Sequence, residues 1–98
     1  MKRIRLTPRA LQDLDDIADY SLVAWGERQT AQYLADFEKR FQWLAENALL
    51  GRSRDEVAPG YRSIRQGSHL IFYVTEGETV VVIGVPHMSR DIEAYFSE

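Results

Sequence analysis

The sequence predicts an α+β domain: an N-terminal strand, then an antiparallel helical hairpin packed on a small, mainly antiparallel sheet (β-α-α-β-β-β), and a short C-terminal helix. Residues 8–25 and 27–47 repeat apolar side chains every three or four positions, the period of a helix with one buried face. Three later stretches alternate, or run continuously apolar, between tight glycine turns, as hairpin-linked strands do. A chain of 98 residues with 45% hydrophobic side chains has material for one modest core. Residues 1–98 are therefore read as a single domain.

Lys2 to Leu6 alternates basic and apolar residues and reads as a strand with one wet face. Thr7-Pro8 reads as a helix start, the hydroxyl capping a free N–H and Pro8 sitting where no N–H is needed. The first helix should run from Pro8 to Trp25, with Leu11, Leu14, Ile17, Ser21 and Trp25 as its apolar stripe. Asp13, Asp15, Asp16 and Asp19 fall mostly off that stripe and read as a solvated face. Gly26 stops this helix, and the second runs from Glu27 to Asn47 with Ala31, Leu34, Phe37, Phe41 and Leu44 facing inward. Almost no loop separates the two, so they form a hairpin.

Gly51 to Gly60 reads as a loop. Tyr61 to Arg65 is a strand, Gln66-Gly67-Ser68 a turn, and His69 to Thr75 a central strand that needs cover on both faces. Glu76-Gly77-Glu78 turns the chain into the β-branched strand Thr79 to Val85, which Pro86 ends. Ser89 is placed as the cap of a last helix, Arg90 to Phe96, docked through Ile92, Tyr95 and Phe96.

The net charge is −3, but residues 1–10 and 50–75 are net basic and the rest net acidic. An acidic chain is a poor non-specific nucleic-acid binder, because phosphate neutralisation supplies most of that affinity. A local basic patch at Arg52, Arg54, Arg62 and Arg65 remains open. There are no cysteines, which excludes disulfides and thiolate zinc sites. Two histidines without carboxylates at ligand spacing predict no metal, and no cofactor motif is present. No apolar run follows the first charges and none approaches a membrane span, so a cytoplasmic location and no membrane partner are expected.

Two constellations stand out. Arg62, Arg65, His69 and Tyr73 alternate along neighbouring strands and read as a cation–aromatic patch. With His87 they nominally supply the acid, base and cations of RNA cleavage. The plainer reading is a solvated strand with Tyr73 capping the core. Trp25, Tyr33, Trp43, Tyr20 and Phe41 are residue types more often found in a core than on a binding surface, yet two helices on a small sheet cannot hide all of them. Some of them read as a partner surface.

Leu6-Thr7-Pro8-Arg9-Ala10, Asp13-Leu14, Asp16-Ile17, Tyr20, Trp25-Gly26-Glu27 and Tyr33-Leu34, with the whole of Ala45 to Tyr73, carry a resemblance. The chain resembles the ParE branch of the RelE/ParE superfamily of bacterial toxin–antitoxin pairs. It departs from that pattern at Pro86, where the family usually has Leu, and at Ala48, where it favours Pro. The resemblance implies a non-enzymatic toxin that binds DNA gyrase or topoisomerase IV, with plasmid stabilisation as a wider role. It implies a ParD-like antitoxin that wraps the toxin and alone contacts DNA. RelE-like relatives instead cleave mRNA on the ribosome, and a non-toxic degenerate member is a third reading. Under the ParE reading, Arg62, Arg65, His69, Tyr73, His87 and Arg90 are expected to face the target. Trp25, Tyr33, Phe37 and Trp43 are expected to face the antitoxin, and no residue is assigned to catalysis.

Overall fold

The computed structural model describes residues 1–97 and places two long helices against a five-stranded sheet. In chain order the elements are β1 (Arg3–Leu6), α1 (Pro8–Trp25), α2 (Glu27–Glu46), β2 (Arg52–Ser53), β3 (Arg62–Gln66), β4 (His69–Glu76), β5 (Thr79–Gly84) and α3 (Ile92–Ser97). The sheet order is β1-β5-β4-β3-β2. β1 runs parallel to β5, and every other neighbouring pair is antiparallel. The predicted fold class is the observed one. Beyond it, the Gly51–Gly60 loop contains the two-residue β2, too short to show a period.

Thr7 joins strand to helix as its sequence implies. Its hydroxyl accepts the Ala10 N–H at 3.1 Å and donates to the Ile83 carbonyl at 3.0 Å, so one side chain caps α1 and pins it to β5. Gly26 makes the helix joint at φ +86°, a region that side chains rarely enter. Its carbonyl accepts the Thr30 hydroxyl at 2.8 Å, which starts α2. α2 ends at Glu46, one residue before the expected Asn47.

The buried line of α1 is Ala10, Ile17 and Ser21. Leu11 and Trp25, placed on the inward stripe by periodicity, are 54% and 46% exposed. An apolar stripe some 100° wide has two edges, and the sheet takes the edge nearest Ala10. α2 buries Phe37, Phe41 and Leu44 against Ile71, Tyr73, Val80 and Val82 of the sheet. On the opposite face, Phe96 of α3 packs edge-on against Phe72 at 5.0 Å, supplying the second cover that β4 needs. α3 starts two residues later than expected, and Asp91, not Ser89, caps it by accepting the Ala94 N–H at 3.2 Å. Ser89 Oγ instead lies 2.7 Å from His87 Nδ1.

Tyr73 is wholly buried. Its hydroxyl donates to the Ala48 carbonyl at 2.9 Å and accepts the Gly51 N–H at 3.0 Å, fastening the chain after α2 to the centre of the sheet. Any Cβ on Gly51 would collide with the Tyr73 ring, which is why glycine stands there. Burial raises the phenol pKa above its ordinary value, so the group stays a neutral donor.

Tyr73→Phe should cost about 1–3 kcal/mol in urea unfolding, because it leaves a buried N–H and a buried carbonyl short of a partner. Ending the chain after Ser89 should cost on the order of 3–5 kcal/mol, the packing of Tyr95 and Phe96. A melting temperature unchanged by the truncation would show that α3 contributes nothing to folding.

A groove between the first helix and the end of the sheet

Acidic, aromatic, imidazole and apolar side chains meet between α1, the first residue of β4 and the segment that follows β5. A groove of about 360 Å³ opens there, with Asp13, Asp16, Tyr20 and Trp25 on the α1 side. His69, His87, Arg90 and Tyr95 form the rest of its wall, and Ile17, Val85 and Pro86 are among its apolar lining.

Main-chain pairing beyond β5 builds the far wall. The Leu70 N–H donates to the Pro86 carbonyl at 2.9 Å, and the Met88 N–H donates to the Ser68 carbonyl at 2.8 Å. Pro86 has no N–H, yet its carbonyl extends the ladder, so the usual cost of proline in a sheet is avoided. This pairing sets His69 opposite His87, with ring centroids 5.2 Å apart.

Asp13 ties the walls together. Its Oδ2 accepts the Val85 N–H at 2.8 Å and also the hydroxyl of Tyr95 from α3. The Arg9 guanidinium lies 3.6 Å from the centre of the Tyr95 ring, and that of Arg90 lies 5.4 Å from it. The Tyr95 hydroxyl occupies the space where a side chain on Gly84 would begin. Burial first, and the Asp13 carboxylate second, push the Tyr95 pKa well above its ordinary value, so its proton stays in place.

His69 is held from α2. The Tyr33 oxygen lies 2.7 Å from His69 Nδ1 and accepts the Ser68 N–H at 2.9 Å. Assigning the phenol proton to Nδ1 satisfies all three groups and leaves the imidazole hydrogen on Nε2. Burial, with a smaller contribution from His87, lowers the His69 pKa to about 4, against a weaker upward pull from Asp13. At neutral pH it is an uncharged imidazole.

The structure redistributes the expected site residues. Arg62 faces Tyr73 across the β3–β4 ladder, and Gln66 faces His69, so Arg62 and His69 share the helix side of the sheet. Arg65 is one position out of step with Arg62 and Gln66 and projects to the opposite side. The four-residue cation–aromatic patch therefore does not exist as one surface. Tyr73 is buried and cannot touch a target, and Arg62 donates to the carbonyls of Leu49 and Gly51 at 3.2 and 2.8 Å. His69, His87 and Arg90 do come together in the groove.

Among the aromatics, Phe37 is core, 1% exposed, and offers no surface to a partner. Tyr33 is half-buried and committed to the turn before β4. Trp43 is half-buried beneath the Arg40 guanidinium at 4.7 Å. Trp25 stands at the groove rim, edge-on to Tyr20 at 6.3 Å and to Tyr33 at 5.9 Å. Tyr20 belonged to the expected aromatic surface but was given no partner, and Asp13 and Tyr95 were not among the expected site residues. Asp13, Asp16, Ile17, Tyr20 and Ser21 stand at helical spacing, which puts them on one face of α1. Their partner surface, however, comes from residues that lie 47 to 82 positions away in the sequence.

Among the described residues no group of three His, Cys, Asp or Glu side chains is placed to hold a metal ion, and no helix is long and apolar enough to cross a membrane.

The profile of the family described as the ParE toxin of the type II toxin–antitoxin system parDE matches residues 4–92. The chain belongs to the ParE toxin family. It is 38% identical over 92 residues to Toxin ParE1 of Mycobacterium tuberculosis, a match covering 93% of this chain and 94% of that protein. It is 38% identical over 95 residues to Toxin ParE1 of Caulobacter vibrioides, covering 97% and 98%. A structure described as a chromosomal ParDE system from P. aeruginosa superposes with a TM-score of 0.76 at 21% identity, covering 89% of this chain and 96% of that one. A chain of the Mycobacterium tuberculosis RelBE2 toxin–antitoxin complex superposes with a TM-score of 0.60 at 28% identity, covering 88% and 96%. The ParE family and the RelE-like fold thus meet in one architecture.

His69 yields a pH prediction for this ParE-family chain. Its folded pKa lies below the unfolded value of about 6.5. Stability from its neutral state is therefore complete above pH ~6.5 and is lost as pH falls toward 4. In an NMR titration its ring resonances should stay in the neutral position at pH 5 and move with a midpoint near 4. A midpoint at an ordinary histidine value would contradict the packing of the groove.

Proposed function

We propose that this chain is the toxin of a type II pair that acts by binding a type II DNA topoisomerase, DNA gyrase or topoisomerase IV, and is held inactive by a ParD-like antitoxin. The single observation that carries this reading is the family membership across residues 4–92. The geometry supports binding over RNA cleavage. Of the groups that an RNA-cleaving site would recruit, Tyr73 is buried, Arg62 is spent on main-chain carbonyls, and Arg65 lies across the sheet. His69 is an uncharged imidazole whose Nδ1 is taken by Tyr33. Target contact is assigned to the exposed groups that share one end of the sheet, His87 and Arg90 beside His69. Antitoxin contact is assigned to the α1 side, where Tyr20 and Trp25 are the aromatics with surface to give. Both partners are proteins, so contact with DNA comes through the antitoxin, and the setting is the cytoplasm.

One observation favours a second reading. The His69–His87 pair stands beside Arg90 in an open groove, and the RelBE2 toxin–antitoxin complex shares the fold. An endoribonuclease of RelE type would use those groups as base, acid and phosphate clamp.

Pulse-labelling after induction of the toxin alone separates the two. The expected result is stalled DNA synthesis and filamentation while protein synthesis continues, relieved by co-expression of the antitoxin. Purified toxin should block supercoiling by gyrase or decatenation by topoisomerase IV. Immediate collapse of translation with cleaved mRNA would establish the nuclease reading instead. Arg90→Ala should reduce toxicity with little change in melting temperature, since an exposed arginine contributes little to folding.

A further inference from the structure

α1 carries a largely exposed face, on which the only contacts among the described residues are local: Gln12 donates to Asp16 at 2.9 Å and Tyr20 meets Trp25 edge-on. Asp16, Asp19, Tyr20 and Val23 stand at i, i+3, i+4 and i+7, one line on a helix. Tyr20 is 70% exposed, Val23 is 91% exposed, and both aspartates are exposed. The line runs along the groove, into which Asp16 and Tyr20 both look, and ends beside Trp25. Exposed apolar and aromatic groups of this size in one contiguous strip mark an interaction surface.

Charge says what covers it. Between Ala10 and Gly26 there are four aspartates and no basic residue. The carboxylates border the apolar strip, so a partner that seats there must bring cations to the same edge. The aromatic pair extends the argument. Tyr20 and Trp25, edge-on to each other at 6.3 Å, line the same groove as Asp16. An arginine side chain fits that arrangement, with its stem on apolar walls, its guanidinium on a ring face and its fork on a carboxylate. Arg90, on the far wall over the Tyr95 ring, sets the depth a second cation can reach.

We propose that the occupant of this face is an amphipathic helical segment of the antitoxin whose apolar stripe is edged by basic residues, with one arginine entering the groove between Asp16, Tyr20 and Trp25. This rests on the antitoxin reading above and adds the sign of the charge that recognises the toxin. The toxin is the acidic partner at this contact, and Asp16 and Asp19 discriminate against segments with acidic edges. A like-charged segment would meet repulsion along the Asp15–Asp19 stretch of α1, which makes the strip a specificity device as well as a docking site.

The test uses the whole toxin and its co-expressed, full-length antitoxin. The charge reversal Asp16→Lys with Asp19→Lys changes exposed side chains, so the melting temperature should stay unchanged. The affinity of the complex should fall by more than about tenfold. The control Glu38→Lys, on an exposed position of α2, should leave affinity within about twofold. Raising salt from about 50 to about 500 mM should weaken the wild-type complex and not the reversed one. Tyr20→Ala should weaken binding with no change in its salt dependence. A second readout identifies the cation: arginine-to-glutamate changes along the antitoxin's toxin-contacting segment should include one that restores affinity to the lysine variant. An unchanged affinity in the double reversal, with the wild-type complex intact, overturns the charge assignment and leaves the antitoxin reading standing. Absence of any wild-type complex overturns both. A toxin dimer that the reversal dissociates would assign the face to a second copy of this chain and overturn the proposal as well.

Discussion

The Asp13 carboxylate holds three parts of the molecule that no local rule would bring together. It stands one turn into α1, accepts the N–H that follows β5, and accepts the hydroxyl of Tyr95 from α3. The first of those bonds closes the groove at its base. The second fixes the terminal helix, which in turn lays Phe96 over Phe72. A charged acceptor with two donors in a part-buried place is a strong junction, stronger than a neutral pair. The position of the His87–Arg90 segment depends on it, because that segment is strung between Val85 and Tyr95.

A second constraint is the two-residue period of the strands. Side-chain parity decides which of the arginines and aromatics can act together. In β3 it separates Arg62 from Arg65. In β4 it sends Tyr73 and Ile71 into the helix layer and Phe72 to the opposite face. A shift in register lies between Phe72 and Tyr73, where Phe72 pairs with Gly84 and Tyr73 with Val82. That shift sets the side-chain-free Gly84 where the Tyr95 hydroxyl needs room. Strand irregularity and terminal docking are therefore one feature seen from two sides.

The elements were legible because each carries its own local signal: Thr7-Pro8 at a helix start, Gly26 at a joint, glycine turns between strands. Much of the site was not legible, for two reasons. Tyr73 and Phe37 read equally well as core or surface, since an aromatic ring is apolar in both settings, and the helical stripe does not say which of its edges the sheet will cover. Leu11 and Trp25 fell on the uncovered edge. Asp13 looked like one of four solvated aspartates, because its partners, Val85 and Tyr95, lie 72 and 82 positions away. The cap of α3 was misplaced for a related reason. Ser89 and Asp91 are both good caps, and the neighbouring His87 claims the serine.

The distribution of charge completes the physical picture. α1 is acidic along its exposed side, whereas Arg52, Arg54, Arg62 and Arg65 cluster around β2 and β3 at the opposite edge of the sheet order. Those arginines are largely occupied: Arg62 by main-chain carbonyls, Arg65 by the Gly67 carbonyl at 2.9 Å, and Arg54 by Glu56 and by the Phe72 ring at 4.8 Å. Arg62 and Arg54 close the long connection after α2 onto the sheet, through Leu49, Gly51 and Ser63, and Arg65 braces the β3–β4 turn, so much of the basic stretch is structural. The acidic stretch is the reverse case. Asp13 is consumed by folding, and Asp15, Asp16 and Asp19 remain at the surface. Within the net charge of −3, α1 thus keeps exposed carboxylates while much of the arginine stretch is engaged in the fold. Long-range attraction by such a surface selects cationic segments before any contact is made, and the apolar strip beside it holds what has been selected.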